Sequence, residues 1–532
     1  MEKLIELSWQ RYKSNLYVDP ELDLMLDISR MIFSNDFFDQ MTPQMKNIYT
    51  QIDQLEKGAI ANPDENRRVG HYWLRNSEIA PSIEISNAIQ ENIKNIKVFA
   101  EQIHSGEICT EKGERFRNIL LIGIGGSCLG PQFVSNALGT NNDQMSFFSI
   151  DNTDPDGMDR IFARLEQELD ATLCIVISKS GGTLETRNGM LEAKNRYQTH
   201  GLSFSKHAVS ITQEGSKLYQ TSQDEGWIRS FPMWDWVGGR TSVFSSVGLV
   251  GLALQGIDID SLLEGGRLCD IKTREANTSK NPAALLALMW YKATEGKGGK
   301  QMVMLPYKDR LVLFSKYLQQ LLMESLGKEK DLEGNIVHQG LTVFGNKGAT
   351  DQHSYVQQLL EGPDNFFVTF IEVLKDRNLP SPILTDNSTS GDYLQASLLG
   401  TRSALSMKGR ESITITISDV TPSSIGVLIS LFERAVSIYA LLVNVNAYHQ
   451  PAVEMGKTST GKAIDLKNRV LDFLNANRGQ KYTIEELVQQ LHCIDDEEIL
   501  FKLLIHLRTN PDHSVKVLKS GESIFVDRYY IE

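Results

Sequence analysis

The stretch Ile119–Pro131, ILLIGIGGSCLGP, runs from four bulky apolar residues directly into glycines and a serine. A run such as Ile119–Ile122 is typical of a strand buried on both faces of a parallel sheet, and the glycines after it allow close backbone approach. Ligands of open α/β sheets bind at such carboxyl ends, and loop N–H groups leading into a helix suit an anion, above all phosphate. Cys128 stands where the dinucleotide fingerprint G-x-G-x-x-G has its last glycine, so the spacing disfavours a dinucleotide. The stretch predicts either a phosphate loop or a tight turn without a ligand.

A second loop of the same kind follows the apolar run ATLCIVISKS and reads ISKSGGTLETRNG. Its candidate binding residues are Ser178, Lys179, Ser180 and Thr183. Hydroxyl and N–H donors together with a lysine charge at a helix N-terminus can hold a phosphomonoester dianion. The alternative is a helix N-cap with an incidental lysine. Two such loops after strands of one sheet favour the phosphate site.

Apolar strands alternate with helical stretches along most of the chain, a pattern typical of parallel sheets. One series, within residues 116–270, contains RNILLIGIGG, MSFFSID, ATLCIVISKS and HAVSITQ. Another, within residues 271–457, contains KQMVMLPY, LTVFGN, NFFVTFIEV and SITITISD. We therefore predict an α/β protein with two parallel-sheet domains.

The two ends of the chain differ from this pattern. Residues 1–115 are predicted to be a helical segment that packs on the core, because SNAIQENIKNIKVFAEQIH repeats apolar residues at helical spacing. Residues 458–532 begin with the polar stretch TSTGKAIDLKN and continue as two helices, TIEELVQQL and ILFKLLIHLRTN, and a hairpin, VKVLKSGESIFVD. This order indicates a small winged-helix-like extension. From Arg478 onward it carries 7 Lys and Arg against 10 Asp and Glu, so it lacks a DNA-binding footprint, and a packing or oligomerisation role is favoured.

Bulk composition excludes several functional classes. The 532 residues are 41% hydrophobic and carry a net charge of −13, which disfavours nucleic-acid and anionic-membrane partners. Five cysteines without a C-x-x-C pair argue against a disulfide framework and a zinc site. We find no apolar run as long as a membrane span, and the acidic N-terminal region is unlike a signal peptide. We therefore expect a cytoplasmic protein without a metal or other cofactor.

Isolated polar residues in apolar or glycine-rich settings are candidates for chemistry. Arg240 in VGGRTSVFSSVG follows two glycines that allow a ligand to approach closely, although a surface arginine is the simpler interpretation. Gln320 and Glu324 lie four residues apart on one face of a predicted helix. The apolar neighbours of Glu324 would partly desolvate its carboxylate, as a general base requires, whereas the alternative is a solvated glutamate.

Two further candidates depend on partners that the sequence does not show. His353 in ATDQHSYVQQL is predicted near the start of a helix, where a lone histidine is more often structural. Lys457 follows Glu454 by three residues in AYHQPAVEMGK, which by itself reads as an exposed ion pair.

These segments, taken in order, resemble the phosphoglucose isomerase family between about residues 60 and 460. NPDENRRVGHYWLRN (Asn62–Asn76) is similar to the family's N-terminal motif, and GIGGSCLGP and SKSGGTLET resemble its two sugar-phosphate loops. The segments VGGRTS, QLLMESLGK, GATDQH and YHQPAVEMGK then follow in the family's order. Seven weak or moderate motifs in the same order make a specific resemblance.

The resemblance implies two sugar isomerase (SIS) α/β sandwich domains in a homodimer whose active sites are shared between subunits. It implies that the phosphate is held by Gly126, Ser127, Ser178, Lys179, Ser180 and Thr183. It also implies that Glu324 moves the proton between C1 and C2, with Gln320 beside it and Arg240 stabilising the enediolate. By the same resemblance, His353 from the neighbouring subunit, oriented by Glu185, opens the sugar ring with help from Lys457.

The implied activity is the reversible isomerisation of glucose 6-phosphate and fructose 6-phosphate in glycolysis and gluconeogenesis. GGRTS and SKSGGTLET depart from the common family patterns GGRYS or GGRFS and SKTFTT-x-ET, and YHQPAVEMGK lacks an aspartate and a glycine of the usual ending. These departures leave two alternatives open. One is an isomerase that uses mannose 6-phosphate as well or instead, and the other is a sugar-phosphate-binding regulator without catalysis.

Overall fold

The structure, a computed structural model, describes residues 8–532 except for the side chains of Glu454, Met455 and Lys457. The described residues form two compact units, one up to His449 and one from Gln450 onward. The strands of the first unit are β1 (Leu16–Asp19), β2 (Leu24–Arg30), β3 (Ile60–Asn62), β4 (Arg67–Arg68), β5 (Asn118–Ile122), β6 (Ser146–Ile150), β7 (Thr172–Ile177), β8 (Ala208–Thr212), β9 (Arg229–Pro232), β10 (Gln301–Pro306), β11 (Lys328–Lys330), β12 (Ile336–Gln339), β13 (Val343–Phe344), β14 (Phe366–Val373) and β15 (Ser412–Ile417). Its α-helices are α1 (Trp9–Ser14), α2 (Phe37–Glu56), α3 (Ile83–Ser105), α4 (Leu129–Leu138), α5 (Pro155–Leu165), α6 (Leu184–Thr199), α7 (Lys217–Asp224), α8 (Ser246–Gln255), α9 (Ile259–Thr273), α10 (Pro282–Thr294), α11 (Phe314–Leu318), α12 (Val356–Glu361), α13 (Ser390–Met407) and α14 (Pro422–Leu442).

Two separate sheets make up the framework of this unit. The first has the order β6-β5-β7-β8-β9 and is parallel throughout. The second has the order β1-β2-β15-β14-β10-β13, with β13, β10, β14 and β15 parallel. Every residue of β5, β7, β14 and β15 is buried, which explains their continuous apolar runs. The predicted α/β class with two parallel sheets is confirmed.

One apolar core joins the two predicted domains. Leu121 of β5 and Ile175 of β7 belong to the same cluster as Met304 of β10 and Ile413 of β15. Helices α8 and α10 are buried on all sides, as helices inside a core are. The two sheets therefore stabilise each other inside a single compact unit.

The N-terminal segment differs from the helical interpretation because it contains two hairpins, β1–β2 and the short β3–β4. Although α2 and α3 are long helices, Leu16–Arg30 forms a hairpin, and β2 pairs antiparallel with β15 at the edge of the second sheet. Leu24, Leu26 and Ile28 alternate along β2 and are buried, so the local pattern has the period of a strand.

Helix α14 also departs from expectation, because it is long and apolar enough to cross a membrane. Its most apolar window is 94% buried inside the protein. Burial in the core accounts for this composition, so α14 is a core helix.

The second unit contains α15 (Pro451–Ala476), α16 (Ile484–Leu491), α17 (Glu497–Thr509), β16 (Val515–Leu518) and β17 (Arg528–Ile531). Helix α15 runs through the polar stretch that resembled a break, and the unit has its own apolar core. The predicted hairpin forms, but its second strand begins at Arg528, because Ile524–Val526 adopt a 3-10 turn.

Candidate active site

The two predicted phosphate loops lie side by side. Strands β5 and β7 are parallel neighbours, so the loops after them emerge at the same edge of the sheet. The first forms a 3-10 turn, Gly125–Ser127, before α4, and the second leads into α6 with Thr183 as its N-cap. This arrangement brings two sets of loop N–H groups together, as an anion site requires.

Glycine is required in the first loop because another loop packs directly on it. A Cβ atom on Gly126 would lie 2.1 Å from the main-chain oxygen of Gly239, and the hydroxyl of Ser242 donates to the Gly126 carbonyl at 3.3 Å. Gly125 has a φ of +56°, and a Cβ there would lie 3.1 Å from Nε2 of Gln320. The bare backbone therefore brings the first loop against both the VGGR loop and the Gln320 segment.

The second loop is organised by its own serines. The Ser178 hydroxyl donates to Oγ1 of Thr183 at 3.2 Å and accepts from the N–H of Gly181 at 3.1 Å. The N–H of Gly182 donates to Oγ of Ser180 at 3.2 Å. These bonds fix the loop before a ligand arrives.

Lys179 is held by the main chain that precedes Arg240. Its Nζ donates to the carbonyls of Asp235 at 2.9 Å and Val237 at 3.2 Å, which leaves one of the three ammonium protons for a ligand. Burial, and then the charge of Arg67, lower the pKa of this amine to about 8.

Arg240 forms the centre of the site. Its side chain is 5% exposed, and NH1 lies 3.0 Å from Oε2 of Glu324. Its NH2 donates to the carbonyls of Ala447 at 2.8 Å and His449 at 3.0 Å. The guanidinium is thus buried, oriented from two sides and paired with the predicted base.

Glu324 and Gln320 lie in a π-helical turn, Gln319–Glu324, which continues α11. Turns of this kind are rare in proteins, and those that do occur are often found at functional sites. Leu321 and Leu322 are buried while the Glu324 side chain is 23% exposed, so the turn anchors the carboxylate at the rim of the core. The sequence interpretation of a partly desolvated glutamate is consistent with this geometry.

Hydroxyl and amide groups support the segment that accepts from Arg240. The Tyr448 hydroxyl donates to Oγ of Ser437 at 2.9 Å, and the Tyr72 hydroxyl lies 2.7 Å from the same oxygen. Asn446 donates to Oδ1 of Asn62 at 3.0 Å, which ties the segment to the N-terminal motif.

His353 and Glu185 do not join the Arg240–Glu324 pair through a hydrogen bond. His353 ends the 3-10 turn Thr350–His353 and is exposed, and Glu185 is half-buried in the first turn of α6. Among residues 8–532, as far as their side chains are described, neither side chain has a hydrogen-bond or ion-pair partner. The Lys457 side chain lies outside the described residues, although its main chain belongs to α15.

Sequence reasoning missed Lys328 and Asp64. Lys328 is 6% exposed, and its Nζ donates to the main-chain oxygen of Glu324 at 2.7 Å. Asp64 accepts from Nδ2 of Asn446 at 2.5 Å and lies 3.5 Å from the ring of His449. Both residues lie inside motifs identified from the sequence, so their positions were available as a signal. The burial of Lys328 and the contacts of Asp64 were not.

Within the described part of the chain, no group of three or more His, Cys, Asp or Glu side chains could hold a metal ion.

The sequence model of the phosphoglucose isomerase family matches residues 34–470. A glucose-6-phosphate isomerase of Desulfitobacterium hafniense (strain Y51) is 62% identical over 524 residues, 98% of each chain. One from Geobacter sulfurreducens is 56% identical over 522 residues, again 98% of each chain. A solved glucose-6-phosphate isomerase from Chlamydia trachomatis D/UW-3/Cx has the same fold, with a TM-score of 0.77 at 24% identity over 88% of this chain and 94% of that chain. The resemblance seen in the motifs is confirmed over nearly the whole chain, and the chain belongs to the phosphoglucose isomerase family.

Proposed function

We propose that this protein interconverts D-glucose 6-phosphate and D-fructose 6-phosphate, as a step of glycolysis and gluconeogenesis. The proposal is carried by the Arg240–Glu324 pair, whose side chains approach to 3.0 Å beside a glycine loop at the carboxyl edge of a parallel sheet. Aldose-ketose isomerisation needs one base and one oxyanion-stabilising cation, and this pair supplies both.

Glu324 removes the proton from C2 of the open-chain aldose, or from C1 of the ketose, and returns it to the adjacent carbon. The intermediate is a cis-enediolate in which the hydroxyl proton passes between O2 and O1, so that the carbonyl moves between C1 and C2. Its negative oxygen is stabilised by the guanidinium of Arg240. Because Arg240 is already buried and oriented by the Ala447 and His449 carbonyls, little reorganisation is needed when the charge develops.

The phosphate binds to the two loops through Gly126, Ser127, Ser178, Lys179, Ser180 and Thr183. Gln320 contacts the first loop near Gly125, so it positions the sugar between phosphate and base. Binding energy from the remote phosphate orients the reacting carbons and contributes to rate as well as affinity.

The proposed homodimer completes the site with His353 of the neighbouring subunit, oriented by Glu185, and with Lys457, for ring opening. Support comes from the surroundings of His353. The adjacent Gln352 donates to the Ser397 carbonyl of α13 at 2.9 Å. Exposed apolar residues cluster in the segment up to the end of this helix: Leu374, Leu379, Ile383, Leu384, Leu399 and Met407. Exposed apolar side chains in this segment favour a protein contact, and we propose a second copy of this chain as the partner that covers them.

Mixing two inactive variants tests the shared site. Glu324→Gln and His353→Ala homodimers should recover activity after subunit exchange, because one mixed site has both groups intact. No recovery, with exchange demonstrated by labelled subunits, would contradict the shared site.

A cytoplasmic location is proposed because all five cysteines are free thiols and four of them are buried. Unpaired cysteines of this kind are characteristic of a reducing compartment.

The reaction itself is tested by isomerisation of fructose 6-phosphate, coupled to a glucose-6-phosphate dehydrogenase, with a chelator present and mannose 6-phosphate as the competing substrate. Rapid glucose 6-phosphate formation is expected. Preference for mannose 6-phosphate would indicate the alternative isomerase, and tight binding without turnover would indicate a regulator.

A further inference from the structure

A buried lysine behind the proposed base has no role in the scheme above. Lys328 begins β11 and is 6% exposed. Lysine is almost never this buried without an ionic partner. Within the described part of the chain, no carboxylate lies within ion-pair distance of its amine.

The amine instead takes the place of a main-chain donor. A helix leaves its last carbonyls unsatisfied, and here the N–H of Gly327 donates to the carbonyl of Met323 at 2.8 Å. The next carbonyl, that of Glu324, accepts from Nζ of Lys328 at 2.7 Å. A lysine side chain therefore closes the end of the turn at the residue that carries the base.

Charged groups surround this amine on several elements. Arg240 faces it from the VGGR loop, Glu324 from the π-helical turn, Asp64 from the N-terminal motif and His449 from the segment after α14. Burial first, and then the charge of Arg240, lower the pKa of the Lys328 amine to about 7, while Glu324 and Asp64 oppose the shift. The ammonium therefore loses its proton around pH 7.

We propose that Lys328 is a positioning residue for the isomerisation, whose ammonium group fixes the main chain of Glu324 and thereby aligns the carboxylate with Arg240 and the substrate carbon. This inference rests on the proposed function. A charged donor holds a carbonyl about twice as strongly as a neutral one, so deprotonation loosens the turn without breaking it. Misplacement of a base by about 1 Å can cost roughly 100-fold in rate.

The test compares Lys328→Met, which removes the amine at similar length, with Lys328→Gln, which keeps a donor but no charge. Lys330→Met is the matched control, because Lys330 is an exposed lysine of the same strand. At pH 6 we expect kcat to fall about 100-fold in Lys328→Met and about 10-fold in Lys328→Gln, with KM changed less than about threefold. The control should match wild type.

The pH profile separates positioning from a purely structural role. As the pH rises from 6 to 8.5, the wild-type amine deprotonates, so the ratio of wild-type to Lys328→Met kcat should shrink about tenfold. A ratio that stays constant across this range, or a Met variant within about twofold of wild type, would overturn the inference.

Two further measurements distinguish loss of folding and failure of the proposed function from loss of positioning. Thermal unfolding is measured for each variant. If Lys328→Met does not fold, Lys328→Gln becomes the test, and a wild-type kcat at pH 6 in that variant would overturn the role of the charge. An inactive wild type would instead refute the proposed function, independently of Lys328.

Discussion

Two arginine–carboxylate sites in the first unit have opposite designs. In one, Asp270 accepts two bonds from Arg75, each of 2.8 Å, and one of 2.8 Å from Arg434, and all three side chains are 0% exposed. In the other, Glu324 has Arg240 as its only ion-pair partner among the described residues and is 23% exposed. Both carboxylates pair with a buried guanidinium, but only the second keeps lone pairs open to a ligand.

The two carboxylates differ in how many of their lone pairs accept hydrogen bonds. Although burial alone would raise the pKa of Asp270, the charges and hydrogen bonds of Arg434 and Arg75 hold it below its ordinary value. A carboxylate committed in this way cannot take a proton from carbon, because it accepts three hydrogen bonds at about four lone-pair sites and is closed to a ligand. The half-open Glu324 keeps lone pairs available for this step, so incomplete pairing distinguishes the proposed reactive pair from the structural one.

The largest expected effect is the loss of stability when the saturated Asp270 site is disrupted. Asp270→Asn removes the carboxylate that both buried arginines share and leaves Arg75 with Glu433 and Arg434 with Glu56. Loss of one partner of a buried ion pair costs about 3–5 kcal/mol. We expect urea denaturation to show a loss of this size. Asp260→Asn on the same helix is the control, since its pair with Lys97 is exposed and contributes about 1 kcal/mol or less. A loss below about 1 kcal/mol for Asp270→Asn would mean that the network is not structural.

The second-largest expected effect is a loss of activity at the Glu324 site without a comparable loss of stability. Glu324→Gln keeps the shape and an oxygen acceptor for Arg240 but removes the base, so kcat should fall by about 1,000-fold with KM changed only a few-fold. Urea denaturation should show a far smaller loss than for Asp270→Asn. Glu329→Gln, an exposed glutamate of β11, is the matched control. Turnover close to wild type would remove Glu324 as the base.

The strands show how much of the fold can be predicted from the sequence. Fully apolar runs such as Ile119–Ile122 predict buried parallel strands, because only a strand covered on both faces tolerates them. The hairpin Leu16–Arg30 escaped prediction, since its pairing with β15 joins residues nearly 400 positions apart.

Motif order places Arg240, Gln320 and Glu324 in one predicted site, and the structure brings the side chains of Arg240 and Glu324 to 3.0 Å. The partners of Arg240 could not be predicted, because it donates to main-chain carbonyls, and any residue type supplies a carbonyl. The same holds for Lys328, whose acceptor is again a carbonyl.

The smallest expected effect concerns Lys179, whose charge is only partly committed. Its pKa of about 8 means that the amine is mainly protonated at pH 7 and mainly neutral at pH 9. The substrate phosphate is already a dianion in this range, since its second pKa lies near 6. Deprotonation removes the third proton, the one not used by the Asp235 and Val237 carbonyls. A hydrogen bond to a charged group contributes about 1.5–3 kcal/mol, so KM for fructose 6-phosphate should rise roughly five- to tenfold from pH 7 to pH 9.

Lys179→Met should show a higher KM at pH 7 and little further rise, because the titrating group is gone. Lys217→Met, which removes an exposed lysine at the start of α7, should follow the wild-type curve. If the Met variant instead rises in parallel with wild type, the titration belongs to another group and Lys179 does not contact the phosphate. A rise confined to proteins that retain Lys179 would show that its third proton, the one not used by the Asp235 and Val237 carbonyls, serves the substrate.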